Sequence, residues 1–444
     1  MIRLDKPREQ ALAILNSVEA GGFADPLIDE ARRSFDARDC AFILEIVYGT
    51  LRNRARLDWV LNRFSAQPIE RTDAWTRNIL RLGAYQMLYL DRVPVSAAVD
   101  TATELAKQYG KKQGYVNGLL RNLDRKRNTI ADPAPGEPIT RLSVLYSHPA
   151  WLVRRWVKRF GEGIAEALLQ QNNQPAPLVI RVNTLKTNRE ELAAALEAEG
   201  VQVRNTNYSP LGIEIVAGPA LQDLTPFQNG WFMVQDEAAQ LISIMLAPQP
   251  SEAVLDSCAA PGGKATHLAA IMQGQGTVVA LEIDPKRIKR IRENSTRLTT
   301  AIVVPTRGDA TLFKEGVYDK VLVDAPCSGL GVLRRHPDGR WGKDESTVRE
   351  RSLLQARILE NCAGLVRPGG ALVYATCTTE PEENEDVVAA FLAGPGQGFS
   401  IEDPRPYLPS PARVLVNEQG FFHTYPRALE MDGFFGVRIK RKTS

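Results

Sequence analysis

The chain has 444 residues, enough for two or three folded domains, and 44% of them are hydrophobic, as expected for a protein with buried cores. Its net charge of only +3 does not by itself indicate a nucleic-acid partner, so local charge clusters have to be considered instead. Five cysteines, an odd number without a C-x-x-C pair, argue against a disulfide framework and against a zinc site.

The sequence predicts neither secretion nor a membrane span. Charged residues interrupt the first six positions, so this end lacks the apolar core of a signal peptide. The apolar run at residues 241–247 is far too short to cross a bilayer. We therefore expect a soluble, cytoplasmic and monomeric protein that holds no metal ion.

Residues 1–135 are predicted to form an all-α domain. Apolar side chains recur there at helical spacing, and strand patterns are nearly absent. The domain resembles the RNA-binding antitermination factor B (NusB-like) domain in three stretches, residues 48–52, 80–85 and 116–121. Two basic clusters, one around Arg54 and one around Arg125, fit either RNA phosphates or an ordinary solvated helix face.

A proline-rich stretch at residues 128–140 is predicted to be a linker, since it contains Pro133, Pro135, Gly136 and Pro138. Beyond it, residues 141–230 predict a small α/β module. Its expected elements are a basic helix around Trp151, strands at 178–182, 201–203 and 213–216, and a helix at 189–199.

Residues 231–444 are predicted to form a doubly wound α/β domain. Strand-like apolar runs alternate with helical patterns at 264–272, 285–298, 345–366 and 381–392. Alternation of this kind indicates a parallel sheet covered by helices. The last segments have no helices between them and predict antiparallel strands that close the sheet, at 413–416, 421–425 and 433–440.

A glycine-containing loop follows the first strand of this domain and reads C-A-A-P-G-G-K at residues 258–264. Gly262 and Gly263 would let backbone N–H groups approach a nucleotide-like ligand at the positive end of the next helix. A tight turn without a ligand is the alternative. Glu282 favours a ligand, because it ends the next apolar run, about twenty residues on, where dinucleotide-type folds place a carboxylate on the ribose.

Polar or reactive side chains end or follow five successive predicted strands. They are Cys258, Glu282, Asp309, Asp324 and Cys377. Because open α/β sheets bind ligands at the carboxyl edge of their strands, we expect these residues to form one site. Asp309 has a structural alternative, a turn aspartate that caps the following segment.

Three motifs in this domain occur together in one protein family. They are C-A-A-P-G-G-K at 258–264, D-A-P-C-S-G at 324–329, and T-C at 376–377 followed by P-E-E-N at 381–384. The domain resembles the S-adenosyl-L-methionine-dependent RNA cytosine-5 methyltransferases of the Sun/Nol1/Nop2 (Fmu) family. The resemblance implies a Rossmann-like methyltransferase fold with S-adenosyl-L-methionine as its cofactor.

The same resemblance implies which residues bind the cofactor. Glu282 should hold the ribose, although this family more often has aspartate there, and Asp309 should meet the adenine amino group. The full set is Cys258, Ala259, Ala260, Pro261, Gly262, Gly263, Lys264, Glu282, Asp309 and Asp324.

Methylation of carbon 5 of a cytosine requires a nucleophile, an acid and a base. Carbon 5 is a poor nucleophile, and addition of a thiolate to carbon 6 turns the ring into an enamine that can attack a methyl group. By the resemblance, Cys377 is this nucleophile, Cys327 assists proton removal and product release, and Asp324 touches the cytosine or the cofactor. In DNA cytosine-5 methyltransferases the Pro-Cys cysteine attacks instead, which would make Cys327 the nucleophile.

The acidic residues that follow Cys377 are unfavourable neighbours for a thiolate. We expect them to start a helix, with Thr379 and Glu382 as a capping box, and to point away from the RNA. Positive charge near the thiolate would then come from the sulfonium of the cofactor and from Lys264.

The resemblance also implies where RNA is bound. The module at 141–230 is similar to the RNA-recognition-like insert of the family, and its expected RNA contacts are Arg154, Arg155, Arg181 and Lys186. Residues 334–337 (R-R-H-P) are a candidate grip on the phosphate beside the target base. The NusB-like domain implies 16S ribosomal RNA as the partner. A tRNA or DNA substrate, or a non-catalytic RNA-binding or assembly factor, remains as an alternative.

Overall fold

The computed structural model describes residues 5–133, 136–425 and 431–443. The chain divides into two compact units, one made of the residues up to Pro175 with Leu333–Asp344, the other of Ala176–Val332 and the residues from Glu345 onward. The chain therefore crosses between the units at 175/176, 332/333 and 344/345. Two features used above, the first four residues and Pro135 of the predicted linker, lie outside the described residues.

The first unit is helical throughout its described residues. Its α-helices are α1 (Lys6–Glu19), α2 (Ala24–Ala31), α3 (Ala37–Arg52), α4 (Arg54–Phe64), α5 (Ala74–Tyr89), α6 (Val95–Leu105), α7 (Gln113–Lys126), α8 (Pro138–Leu145), α9 (Ala150–Phe160) and α10 (Glu162–Gln171).

Helix α5 is the central helix of this unit, and eleven of its sixteen residues are buried. Asp73 caps it by accepting a hydrogen bond from the backbone N–H of Thr76 at 2.9 Å. Gly49 of α3 lies so close to it that a Cβ atom would stand 2.0 Å from the ring of Tyr85. The absence of a side chain at Gly49 thus allows α3 and α5 to pack, and the predicted all-α fold is confirmed.

Residues 333–344 belong to this unit although they come much later in the chain. The buried guanidinium of Arg340 donates hydrogen bonds to the carbonyl oxygens of Ser147 and Asn172, both at 3.1 Å. The indole N–H of Trp341 donates to the carbonyl oxygen of Leu51 at 2.7 Å. The segment therefore satisfies buried polar groups on three different parts of the helical unit.

The second unit contains two sheets and the remaining α-helices of the described residues. Its strands are β1 (Leu178–Val182), β2 (Gln202–Asn205), β3 (Gly212–Ala217), β4 (Phe232–Val234), β5 (Ala253–Asp256), β6 (Thr277–Glu282), β7 (Val303–Arg307), β8 (Tyr318–Asp324), β9 (Val366–Thr376), β10 (Phe399–Ile401), β11 (Phe421–Thr424) and β12 (Phe434–Arg441). Its helices are α11 (Arg189–Ala198), α12 (Thr225–Gln228), α13 (Glu237–Leu246), α14 (Gly263–Ile271), α15 (Pro285–Leu298), α16 (Glu345–Gly364) and α17 (Glu385–Ala393).

The smaller sheet has the strand order β2-β3-β1-β4, with every pair antiparallel. Leu192 and Leu196 of α11 are buried against Ile180 and Val182 of the central strand β1. The predicted small α/β fold is thereby confirmed for these strands and α11, whereas the basic helix around Trp151, expected in the same module, belongs to the helical unit as α9.

The larger sheet has the strand order β10-β12-β9-β8-β5-β6-β7, and β11 pairs with β12. The pairs from β9 to β7 are parallel, whereas β12 is antiparallel to β9. The predicted parallel sheet with an antiparallel end is confirmed. One expected strand, residues 413–416, is wrong. That region is a 3-10 helix at Ser410–Leu415, because Pro409 and Pro411 lack the N–H groups that a strand ladder needs.

Among the described residues, every helix is too short or too polar to cross a membrane. The same residues form no group of three or more side chains placed to ligate a metal ion.

Candidate active site

The five parallel strands of the larger sheet end side by side at one edge. Along the order β9-β8-β5-β6-β7, this edge carries the residues just beyond each strand. The side chains singled out in the sequence therefore come together, with Cys377 after β9, Asp324 at the end of β8, Cys258 after β5, Glu282 at the end of β6 and Asp309 after β7.

The loop at 258–264 has the backbone geometry of a ligand cradle. Gly262 has φ +99, a left-handed value that favours glycine, and a Cβ atom there would lie 3.3 Å from the Cα of Ile291. Helix α14 begins at the next residue, so its free N–H groups face the end of the sheet. Burial raises the pKa of the Cys258 thiol well above the ordinary range, which favours its protonated form.

Arg181 of strand β1 supports this loop by hydrogen bonds. The sequence-based assignment of Arg181 to RNA contact is wrong. Its side chain is fully buried and donates to the carbonyl oxygen of Gly263 at 2.6 Å and to the side chain of Gln235. Burial, followed by repulsion from Arg297, lowers the pKa of Arg181 to about 9. The smaller sheet therefore contributes a buried cation that supports the 258–264 loop.

The other residues assigned to RNA contact differ in exposure. Arg154 is exposed, and Lys186 lies in a polar turn where its ammonium donates to the carbonyl oxygen of Asn229 at 2.6 Å. Arg334 of the 334–337 segment is buried. Arg154 and Lys186 are therefore more accessible to a ligand than Arg181 and Arg334.

Glu282 and Asp309 occupy neighbouring strand ends. Glu282 is buried, with 4% of its surface exposed, and accepts a hydrogen bond from the N–H of Asp284 at 3.0 Å. Arg287 connects it to the loop, lying 3.4 Å from Glu282 and donating to the carbonyl oxygen of Ala260 at 3.1 Å. Asp309 accepts from the N–H and hydroxyl of Thr311, both at 2.8 Å, which is the turn-capping role considered as its alternative.

Asp256, the last residue of β5, is a site residue that the sequence did not single out. It is buried, and its carboxylate oxygens have no well-formed hydrogen bond among the described residues. Burial, and then repulsion from Asp324, raises the pKa of Asp256 to about 7. A cationic cofactor with ribose hydroxyls fits this set of carboxylates, since Asp256, Glu282 and Asp324 offer acceptors and negative charge along one edge.

Lys264 connects the cofactor loop to the motif that contains Cys327. Its ammonium lies 2.6 Å from a carboxylate oxygen of Asp324 and 5.4 Å from the centre of the Phe434 ring. Burial alone would lower the pKa of Lys264, but attraction to Asp324, and to Asp256 and Cys377 beyond it, outweighs burial and raises that pKa. A positive charge is therefore fixed beside Cys377.

The two cysteines meet at the ends of β8 and β9. The Sγ atoms of Cys327 and Cys377 are 3.2 Å apart. The hydrogen bond with Cys377, and then burial, raise the pKa of Cys327 well above the ordinary value of a thiol. Cys327 is thus a protonated thiol that faces the sulfur of Cys377.

The acids after Cys377 do not form the expected capping box of Thr379 and Glu382. A 3-10 turn spans Pro381–Glu383, α17 begins at Glu385, and neither start has a side-chain cap. Glu383 is instead buried, and it accepts hydrogen bonds from the backbone N–H of Ser328 at 2.8 Å and from the Ser328 hydroxyl. This link between the two cysteine loops was not predicted.

Three family descriptions match successive parts of the chain. Residues 243–440 match the family described as 16S rRNA methyltransferase RsmB/F. Residues 148–222 match the RsmF/B-like ferredoxin-like domain, and residues 5–125 match the NusB family.

Curated relatives extend this likeness over the whole chain. The chain is 35% identical to the probable ribosomal RNA small subunit methyltransferase B of Bacillus subtilis (strain 168), over 98% of both chains. The chain belongs to the RsmB/F family of 16S rRNA methyltransferases. It is also 34% identical to ribosomal RNA small subunit methyltransferase B of Proteus mirabilis (strain HI4320), over 97% of both chains.

A solved structure matches the fold of this RsmB/F family member. The crystal structure of PH0851 superimposes with a TM-score of 0.81 at 30% identity, covering 97% of this chain and 98% of that one. The protein is thus a 16S rRNA methyltransferase with a NusB domain, and its methyl donor is S-adenosyl-L-methionine.

Proposed function

We propose that this methyltransferase acts on carbon 5 of one cytosine in 16S rRNA, through a covalent adduct between Cys377 and carbon 6 of the base. The observation that carries the proposal is the pair of sulfur atoms 3.2 Å apart at the ends of adjacent strands. Methylation of an exocyclic nitrogen or of a ribose hydroxyl needs no thiol, whereas carbon-5 methylation needs one to attack and a second group to accept a proton.

Cys377 is the attacking residue in this scheme. Lys264, held by Asp324 at 2.6 Å, provides the positive charge that favours a thiolate beside it. The Asp324 carboxylate, which is about a quarter exposed, is available to accept a hydrogen bond from the amino group of the target cytosine. S-adenosyl-L-methionine supplies the activated methyl group when it is bound along the edge formed by the 258–264 loop, Glu282 and Asp309.

Cys327 removes the carbon-5 proton and so allows the methylated RNA to be released from Cys377. Its raised pKa has the hydrogen bond with Cys377 as its largest cause. In the adduct Cys377 is a thioether and no longer shares a proton with Cys327, so Cys327 acts as the base after its own proton has passed to solvent. The Cys327 thiolate then takes the proton from carbon 5, the double bond to carbon 6 re-forms, and Cys377 leaves as a thiolate.

The proposal extends to the organisation of the chain. Residues 1–135 form the NusB-like RNA-binding domain, residues 141–230 the ferredoxin-like module and residues 231–444 the methyltransferase domain. The protein acts as a monomer in the cytoplasm, where ribosomal RNA is made. The match of residues 5–125 to the NusB family supports the RNA-binding role of the first domain.

The test is methyl transfer from labelled S-adenosyl-L-methionine to unmodified 16S rRNA, followed by digestion to nucleosides and mass spectrometry. Wild type should label a single cytosine as 5-methylcytidine, and Cys377→Ala should label none. Cys327→Ala should accumulate a protein–RNA adduct that resists denaturant, because the second half of the cycle is blocked.

Other outcomes would change specific parts of the proposal. An adduct with Cys377→Ala would exchange the roles of the two cysteines. Label on a nitrogen or on ribose would reject the carbon-5 chemistry. Transfer to tRNA but not to 16S rRNA would contradict the proposed substrate.

A further inference from the structure

Glu383 has no role in the reaction described above, yet its carboxylate lies between the loops that carry Cys327 and Cys377. Its side chain is fully buried. One carboxylate oxygen accepts from the backbone N–H of Ser328 at 2.8 Å, and the other accepts from the Ser328 hydroxyl. Ser328 is the residue directly after Cys327, so Glu383 binds the Pro-Cys loop at its reactive position.

Helix α16 and the Cys377 loop complete this network. Gln355 of α16 donates to Glu383 at 2.9 Å and to the carbonyl oxygen of Pro326 at 3.1 Å, so it binds the residue on the other side of Cys327. The hydroxyls of Ser328 and Thr378 are 2.9 Å apart. Both neighbours of Cys327 are therefore held through groups that Glu383 orients.

The segment that carries Glu383 is itself fixed to strand β9. The hydroxyl of Tyr374 donates to the carbonyl oxygen of Glu383 at 2.6 Å. Asn384 donates to the carbonyl oxygen of Thr378 at 3.0 Å and accepts from the hydroxyl of Thr376 at 2.5 Å. These bonds surround Cys377 on both sides along the chain, so Glu383 joins two loops that are each rigid next to their cysteine.

A buried carboxylate in this position is costly unless it serves a purpose. Burial raises the pKa of Glu383, although its hydrogen bonds to Ser328 and Gln355 act to lower that pKa. A hydrophobic residue would remove this cost in a protein that needed only stability. The three hydrogen-bond donors that converge on Glu383 indicate that its carboxylate serves to fix the geometry of the two cysteine loops.

We propose that Glu383 is a positioning residue that sets the Cys327 thiol against Cys377 for the release step. The inference rests on the proposed carbon-5 chemistry. Displacing a reacting group by about 1 Å can lower a rate about 100-fold. Loss of the Glu383 contacts should therefore slow release of the methylated RNA far more than the attack of Cys377. Glu383 itself does not touch the base or the cofactor.

The test compares adduct release in Glu383→Ala, Glu383→Gln, Cys327→Ala and the control Asp386→Ala, whose acid is exposed at the start of α17. Glu383→Ala should transfer the first methyl group and then retain a denaturant-resistant adduct, with release slowed about 100-fold. Glu383→Gln should restore most of the release rate, because its amide can accept from the Ser328 N–H and donate to the Ser328 hydroxyl. Asp386→Ala should behave as wild type.

Cofactor affinity and thermal unfolding are measured for each variant to separate misplacement from misfolding. Wild-type release by a folded Glu383→Ala protein would overturn the inference, as would equal loss of the first methyl transfer and of release. If Glu383→Ala does not fold, Ser328→Ala removes the hydroxyl bonds to Glu383 and Thr378 and keeps the backbone bond to Glu383. Release should then slow about threefold, as for the net loss of one hydrogen bond, and an unchanged rate would overturn the inference. Absence of an adduct with Cys327→Ala would instead reject the proposed function.

Discussion

The two halves of the active-site edge are held in place by different means. At the ends of β5, β6 and β7, the cofactor half depends on backbone geometry, namely a left-handed glycine at 262 and the start of a helix at 263, with Arg181 beneath. At the ends of β8 and β9, the cysteine half depends on buried side chains that hold one another, centred on Glu383. A backbone-built cradle tolerates changes in distant side chains, whereas a side-chain network fails when one member is lost.

Lys264 spans the two halves, so its replacement should have the largest effect. Lys264→Met keeps the apolar stem but removes the charge beside Cys377, and the rate of adduct formation should fall about 100-fold, as for other losses of a placed charge. The measurement is the single-turnover rate of adduct formation, with Lys289→Met of the exposed face of α15 as the control. An unchanged rate would show that Cys377 is activated without Lys264.

Arg181 tests whether the cofactor half depends on its buried support. Arg181→Met removes the charged one of two side-chain donors to the carbonyl oxygen of Gly263, the other being the Thr266 hydroxyl at 3.1 Å, and loss of such a buried bond should cost about 2 kcal/mol in stability. The affinity for S-adenosyl-L-methionine should fall with it, whereas the affinity for RNA should not. Calorimetric binding of the cofactor and filter binding of RNA distinguish the two, with Lys186→Ala as the comparison at a partly exposed basic residue. Weaker RNA binding with normal cofactor binding would restore the RNA role of Arg181.

Asp256 gives the smallest effect, a difference in pH dependence. Its pKa of about 7 when folded lies above its unfolded value, so the folded chain keeps a proton that the unfolded chain loses. The stabilisation is therefore complete at low pH and is lost as the pH rises towards 7. Asp256→Asn should gain stability over wild type by about 1 kcal/mol per pH unit between pH 5 and 7.

Urea unfolding at pH 5, 6 and 7 in the absence of cofactor measures this difference. Asp386→Asn, at an exposed acid, should follow wild type across the same range. Parallel curves for Asp256→Asn and wild type would mean that Asp256 is already ionised in the folded chain.

The sequence allowed the cofactor half to be predicted further than the cysteine half. Glycine spacing and strand-helix alternation reflect backbone conformation, and local residue types indicate that conformation directly. For this reason the 258–264 loop and Glu282 could be placed on one edge of the sheet. The partners of a buried side chain depend on which segments meet in three dimensions. For that reason the acids after Cys377 were assigned to a helix start, although Glu383 is buried against Ser328.

The same limit explains the misassignment of Arg181. A basic residue at the end of a short strand has the same local pattern whether it faces RNA or another domain. The continuous apolar run around Arg181 was a signal that pointed inward, since Val179, Ile180 and Val182 are also buried and the strand is covered on both faces.

The return of residues 333–344 to the helical unit has a consequence for biosynthesis. The polar groups of Ser147, Asn172 and Leu51 that Arg340 and Trp341 satisfy are translated long before their partners. The helical unit can therefore reach its final packing only after the ribosome has passed Asp344, when the loop that carries Cys327 has also been made. A fragment that stops at the end of α10 would lack these partners. The N-terminal helical unit is thus completed by a chain segment that is synthesised together with the catalytic domain.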